Sequence, residues 1–113
     1  VIHDEEAFIA AWNETASAAH QTAKVKGWWE DPRTDGECIA LMHSELSEAL
    51  EGVRRPGPDR HCPEFDQVSV ELADVVIRIM DFAEHRELRV GEALIAKMAA
   101  NQKREYRHGG AKL

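Results

Sequence analysis

Cysteine is scarce in this chain, with two thiols, Cys38 and Cys62, among 113 residues. They lack the close Cys and His spacing of a zinc site, so neither a disulfide framework nor a structural zinc is predicted. Cys38 falls on an apolar helix face and reads as packing. Cys62, between His61 and Pro63, reads as a loop residue. No apolar run approaches the ~20 residues that span a bilayer. No basic segment followed by an apolar one opens the sequence in the manner of a secretory signal. A cytoplasmic protein without a membrane partner is therefore predicted. Basic charge is also in short supply, because 14 Lys and Arg face 21 Asp and Glu, a net charge of −7. General nucleic-acid binding relies on cations that neutralise phosphates, so a nucleic-acid polymer is not an expected partner. Solenoid repeats, low-complexity tracts and interdomain linkers are absent as well.

The length fits a single domain over residues 1–113, and a 43% hydrophobic content is enough to fold it. A domain of this size has little room for an enclosed site. A large polar substrate would then borrow walls from a second copy.

The dominant period is helical, and four segments carry it. The first is predicted over about 4–24, with Phe8, Trp12, Ala16, Ala19 and Ala23 at three- and four-residue steps and Asp4 as N-cap. Gly27 ends it and leaves Trp28 and Trp29 in a loop. The second runs over 35–54, opened by the Thr34 and Glu37 capping-box spacing and stopped by Pro56-Gly57-Pro58. The third is predicted over 65–85. Its β-branched run Val75-Val76-Ile77 suits a strand, but its length favours a helix. The fourth is predicted over 90–104, with Val90, Leu94 and Met98 on one stripe. Four helices with short connections predict an all-α, four-helix bundle-like fold.

Several carboxylates stand where apolar residues belong. With Glu45 set at zero on the second helix, Leu41, Cys38, Ala49, Met42, Val53, Leu46 and Leu50 span about −40° to +140°. Glu45 lies inside that arc and Glu48 just beyond its edge. On the third helix, with Glu71 at zero, the apolar residues from Phe82 to Val76 follow from about +20° to +140°. Glu71 borders that stripe, and Asp74 sits about 60° to its side. Each helix thus presents two acids at i and i+3. A carboxylate facing a core is costly unless it is paired, hydrogen-bonded or bound to a cation. Packing by the apolar stripes would make four carboxylates converge. An all-oxygen set without imidazole or thiolate suits magnesium, with manganese as a substitute, rather than zinc. The competing reading is ordinary solvated glutamates on the helices of an acidic protein. A di-iron bundle would need Glu-x-x-His on two helices, and the acids here are followed by Glu48 and Asp74 instead.

Lys97, Asn101 and Arg104 share a face at i, i+4 and i+7 on the fourth helix. The stretch 97–112 holds five basic residues, Arg107 among them, and one acidic residue, reversing the charge of the chain. Such a cationic face suits phosphate oxygens, and equally a solvated helix end favoured by the dipole. Trp28 and Trp29 suit either stacking on a base or covering the end of the bundle. His20, His43 and His85 have no partner at ligand spacing and read as surface or packing residues. Arg78 lies about 20° from Glu71, within reach of an acid or of phosphate.

Glu45-Leu46-Ser47-Glu48 followed by Glu71-Leu72-Ala73-Asp74 resembles the ExxE…ExxD signature of MazG-like nucleotide pyrophosphohydrolases. Lys97, Asn101 and Arg104, followed by Tyr106-Arg107-His108-Gly109-Gly110, resemble that family's phosphate-contacting segment. The likeness covers about residues 24–112. It implies the all-α MazG fold, completed by dimerisation as a homodimer or homotetramer. It implies magnesium held by Glu45, Glu48, Glu71 and Asp74. It further implies hydrolysis of a nucleoside triphosphate at the α-phosphorus to monophosphate and pyrophosphate, in house-cleaning of noncanonical or surplus deoxynucleotides. Glu45 or Glu48 would serve as the catalytic base. Lys97, Asn101, Arg104 and Arg107 would bind phosphate, and Trp28 and Trp29 the base. Family members often begin the first motif with two consecutive acids, and here Ser44 takes the first of those positions. Two other readings stay open: a phosphoribosyl-ATP pyrophosphohydrolase, and a non-catalytic helical module that binds nucleotides or a partner.

Overall fold

The computed structural model describes residues 2–104. It contains α1 (Glu5–Val25), α2 (Asp35–Arg54), α3 (Gln67–Arg86) and α4 (Val90–Gln102), and no strand is assigned among the described residues. The predicted all-α, four-helix class is the one observed. No helix among the described residues is long and apolar enough to cross a membrane.

Side-chain caps set the helix starts. Asp4 accepts a hydrogen bond from the Ala7 N–H (2.9 Å). Thr34 Oγ1 accepts from the Glu37 N–H (3.1 Å) and donates to its carboxylate (3.2 Å). Asp66 accepts from both the backbone N–H and the hydroxyl of Ser69 (3.1 and 2.7 Å). Asp66 is why α3 starts at Gln67 and not at Phe65 as the apolar spacing predicted. The Asp66 carboxylate satisfies a first-turn donor that Phe65 cannot. Phe65 stays in the preceding turn, its N–H bonded to the Cys62 carbonyl (3.0 Å). At the other end of the chain, α4 stops at Gln102, two residues before the predicted end.

The end of α1 aims the tryptophans. The Trp28 N–H bonds back to the Ala23 carbonyl (3.0 Å), and the Gly27 N–H to that of Lys24 (3.1 Å). This pair of bonds is the Schellman arrangement, which needs a left-handed residue at the turn. Gly27 supplies it with φ 87°. The chain therefore reverses abruptly and delivers Trp28 and Trp29 to the side of the bundle.

α3 is the central helix, packed against α2 on one side and α1 on the other, with α4 resting on α1. α2 and α3 run antiparallel: Arg86 at the end of α3 pairs with Asp35 at the start of α2, and Gly52 near the end of α2 faces Val68 near the start of α3. α4 approaches α1 through Gly91. A Cβ there would lie 2.8 Å from Cδ1 of Trp12, so only glycine permits this contact.

The buried apolar residues are mostly small: Ala16, Cys38, Ala49, Val75, Met80, Ala83 and Ile95. The predicted apolar arcs are only partly covered. On α2 the part near Glu45 (Cys38, Ala49) is buried, while Ile39, Leu46, Leu50 and Val53 are exposed. On α3, Leu72 and Val76 are exposed, as is Phe65 before it. The reason is geometric: one chain supplies α2 with one packed neighbour, and one neighbour covers less than the full width of the arc.

Candidate functional site

Three of the four predicted acids converge. Glu45 of α2 meets Glu71 and Asp74 of α3, with one carboxylate oxygen from each within 4.8 Å of the others. Glu45 is where its wheel position put it, inside the apolar arc and mostly buried. The Glu71 carboxyl is pushed up to about 7, chiefly by burial, then by its hydrogen bond with Glu45 and by the charges of Asp74, Glu45 and Glu48. Asp74 is also raised, by burial first and by the Glu45 charge second, with Arg78 pulling it back. Carboxylates whose ionisation is opposed by burial and by one another's charge form a set that a hard divalent cation fits, since its charge offsets both. Glu48 does not join the three. It is exposed and borders a separate cleft beside Glu71, along with Asp59 and His61.

Arg78 occupies the position that the sequence left undecided. Its Nε donates to Glu45 Oε1 at 2.9 Å, and both side chains are largely buried. The same guanidinium lies over the Trp28 ring, 5.0 Å from the centroid. Arg33 also lies 5.0 Å from that centroid, and its Nε donates to the Trp28 carbonyl at 2.9 Å. Such contacts hold an indole in place without covering all of it. Trp28 remains 41% exposed, enough to offer a surface to a ligand.

Trp29 has a different environment. Its ring stacks on His85, with centroids 4.0 Å apart and planes 15° from parallel. Its Nε1–H donates to Asp81 Oδ1 at 2.9 Å. His20 Nδ1 reaches the same oxygen at 2.7 Å. His20 and His85 were expected to be unattached surface or packing residues. Both belong to this network, which joins α1, the loop and α3. Sequence spacing carries no trace of it, because its members lie 61 and 52 residues apart. The one available signal was Asp81 itself, which shares the face of α3 that carries Asp74 and Arg78.

A cleft of about 660 Å3, counted with its open mouth, runs along these groups. Glu45, Asp74, Arg78 and Asp81 form one wall, and Thr22 and Lys26 from the end of α1 form the other. Trp28 borders both this cleft and a smaller one behind it, which Cys38 and Trp29 line. Burial raises the Cys38 thiol, so it stays protonated and serves packing. Lys97 and Asn101 lie exposed on α4 and Arg104 exposed just beyond it, and none of the three lines the clefts beside the acids. Arg107 lies outside the described residues.

No protein-family model, curated protein or solved structure matches the chain.

Proposed function

We propose that the chain is a magnesium-dependent nucleoside triphosphate pyrophosphohydrolase of MazG-like type. The observation that carries this reading is the meeting of Glu45, Glu71 and Asp74, two of which, Glu45 and Asp74, line a cleft that also holds two cations and an indole. A divalent ion held there would withdraw charge from phosphate oxygens and favour ionisation of the attacking water. The residues of the chain divide the remaining work. Glu45, Glu71 and Asp74 hold the ion, magnesium or its substitute manganese. Arg78, beside the acids, and Lys26, on the opposite wall, stabilise charge on the departing pyrophosphate. Trp28 offers its free surface to the base. Glu48, exposed in the neighbouring cleft beside Glu71, keeps its assignment as the base for the attacking water on the strength of the sequence pattern.

Lys97, Asn101, Arg104 and Arg107 keep their assignment to phosphate on the strength of the sequence pattern. The exposed apolar stripe of α2 and α3 favours a homodimer, in which a second copy covers Leu46, Leu50, Val53 and Leu72. Sedimentation should then give a mass of at least two chains.

The deciding experiment is product analysis with a panel of nucleoside triphosphates, in magnesium and in EDTA. Release of pyrophosphate and monophosphate only in magnesium is the expected result. Release of single phosphate, or no turnover, would overturn the reading.

A further inference from the structure

One oxygen of Asp81, a residue of the cleft, has no partner among the described residues. Both donors to Asp81, from His20 and Trp29, end on Oδ1. Among the described residues no donor reaches Oδ2, and no side-chain oxygen there is both sealed and unpartnered. Oδ2 is therefore open, on a residue that lines both the large cleft and the smaller one behind it. The two donors on Oδ1 fix the plane of the carboxylate, so Oδ2 points in a set direction. A lone-pair oxygen held this way selects for a hydrogen-bond donor.

Its place along the helix gives the donor's identity. Glu71, Asp74, Arg78 and Asp81 lie within about 80° of one another around α3. Asp81 is seven residues beyond Asp74, or about 10 Å along the axis at 1.5 Å per residue. That span is comparable to the distance from the α-phosphorus of a nucleotide to the exocyclic group of its base. Trp28 borders the cleft beside these residues, and Arg78 links its ring to Glu45. With phosphates at the acid end and a base against Trp28, the edge of the base meets Asp81.

We propose that Asp81 reads the base and selects nucleotides whose base carries its exocyclic amine at the N4 position of cytosine or the matching N6 position of adenine, where guanine, thymine and uracil carry a carbonyl oxygen. The N4 amine of cytosine or the N6 amine of adenine donates to Oδ2, whereas thymine and uracil present the O4 acceptor at that place. Two acceptors face to face leave the carboxylate unpaired in a partly buried site, which a donor-seeking site penalises heavily. The proposal rests on the reading of the cleft as a triphosphate site.

The test is kcat/KM for pyrophosphate release from dCTP, dATP, dUTP and dTTP, with wild type and Asp81→Asn. Wild type should favour dCTP and dATP over dUTP and dTTP by about tenfold or more, the scale of a lost hydrogen bond in a polar pocket. The asparagine carbonyl can still accept from His20 and Trp29, and its amide puts a donor where Oδ2 stood, so the preference should vanish or reverse towards dUTP and dTTP while turnover persists. A dCTP whose N4 amine is doubly methylated carries no donor, and wild type should handle it as poorly as dUTP. That measurement stands even if Asp81→Asn does not fold. Equal wild-type use of all four bases overturns the proposal alone. So does an Asp81→Asn variant that lowers all four rates by one factor, which marks a mere anchor for Trp29. Absence of pyrophosphate from every triphosphate overturns the reading of the site itself.

Discussion

The two ends of the cleft are built on opposite principles. At the Glu45 end, carboxylates crowd carboxylates, and one arginine stands against three acids. At the Asp81 end, polar groups meet complementary ones: Asp81 accepts from His20 and Trp29, and two guanidiniums lie over Trp28. The first end is short of positive charge in the protein alone. The second is already organised. This contrast is what a site needs when one part of its ligand is an ion and the other part must be recognised by shape and direction.

The sharpest way to break the comparison is to change one acid. Asp74→Asn should lower turnover by on the order of 100-fold or more, the scale seen when one electrostatic contact to a transition state is lost. Its far-ultraviolet circular dichroism and melting temperature should hold, because the change relieves repulsion in the metal-free chain. A variant that keeps wild-type turnover would remove Asp74 from the ion's ligands.

Ion and proton should compete at Glu71. Between its ordinary value of 4.5 and about 7, the folded chain keeps a proton that the unfolded chain gives up. Below that window both states are protonated and this contribution to stability is complete. As pH rises through about 7 it is lost, so the metal-free protein should melt at progressively lower temperature. Magnesium should cancel the fall, and at one hundred times its Kd it adds about 2.7 kcal/mol by mass action. Melting curves across pH 5–8, in EDTA and in magnesium, check both signs. Curves that coincide would mean the acids hold no ion.

At the organised end the effects should be smaller and indifferent to magnesium. Trp29→Phe removes the Nε1 donor while keeping a ring against His85. A loss of about 1 kcal/mol is expected, the net worth of one hydrogen bond, and it should be the same with and without the ion. Smallest of all, Glu87 holds φ 56° at the close of α3 just after His85. Glu87→Gly should gain about 0.5–1 kcal/mol by relieving the left-handed strain, less the entropy that glycine loses on folding. Denaturant titration resolves both changes.

Much of this architecture is legible in the residues. Asp4 and Thr34 mark their helices by the chemistry of capping, and periodicity alone finds all four segments. Phe65 misled because its position continues an apolar stripe, whereas the helix obeys the better cap at Asp66. The acids stand out because Glu45 breaks an apolar arc. Why Asp74 turns inward and Glu48 outward is set by how α2 crosses α3, and no wheel of a single helix contains that. The Asp81 network is invisible for the same reason, since its partners come together only once α1 and α3 are packed.

The reversal at Gly27 and the glycine contact at Gly91 have a consequence for anyone watching this protein in solution. They put three indoles in three unlike settings: Trp12 under α4, Trp28 at the cleft, and Trp29 stacked on His85. Each is a native fluorophore with its own quencher or neighbour. Variants that keep one indole at a time would therefore report separately on the docking of α4, the arrival of a ligand, and the integrity of the His85 stack, with no dye attached.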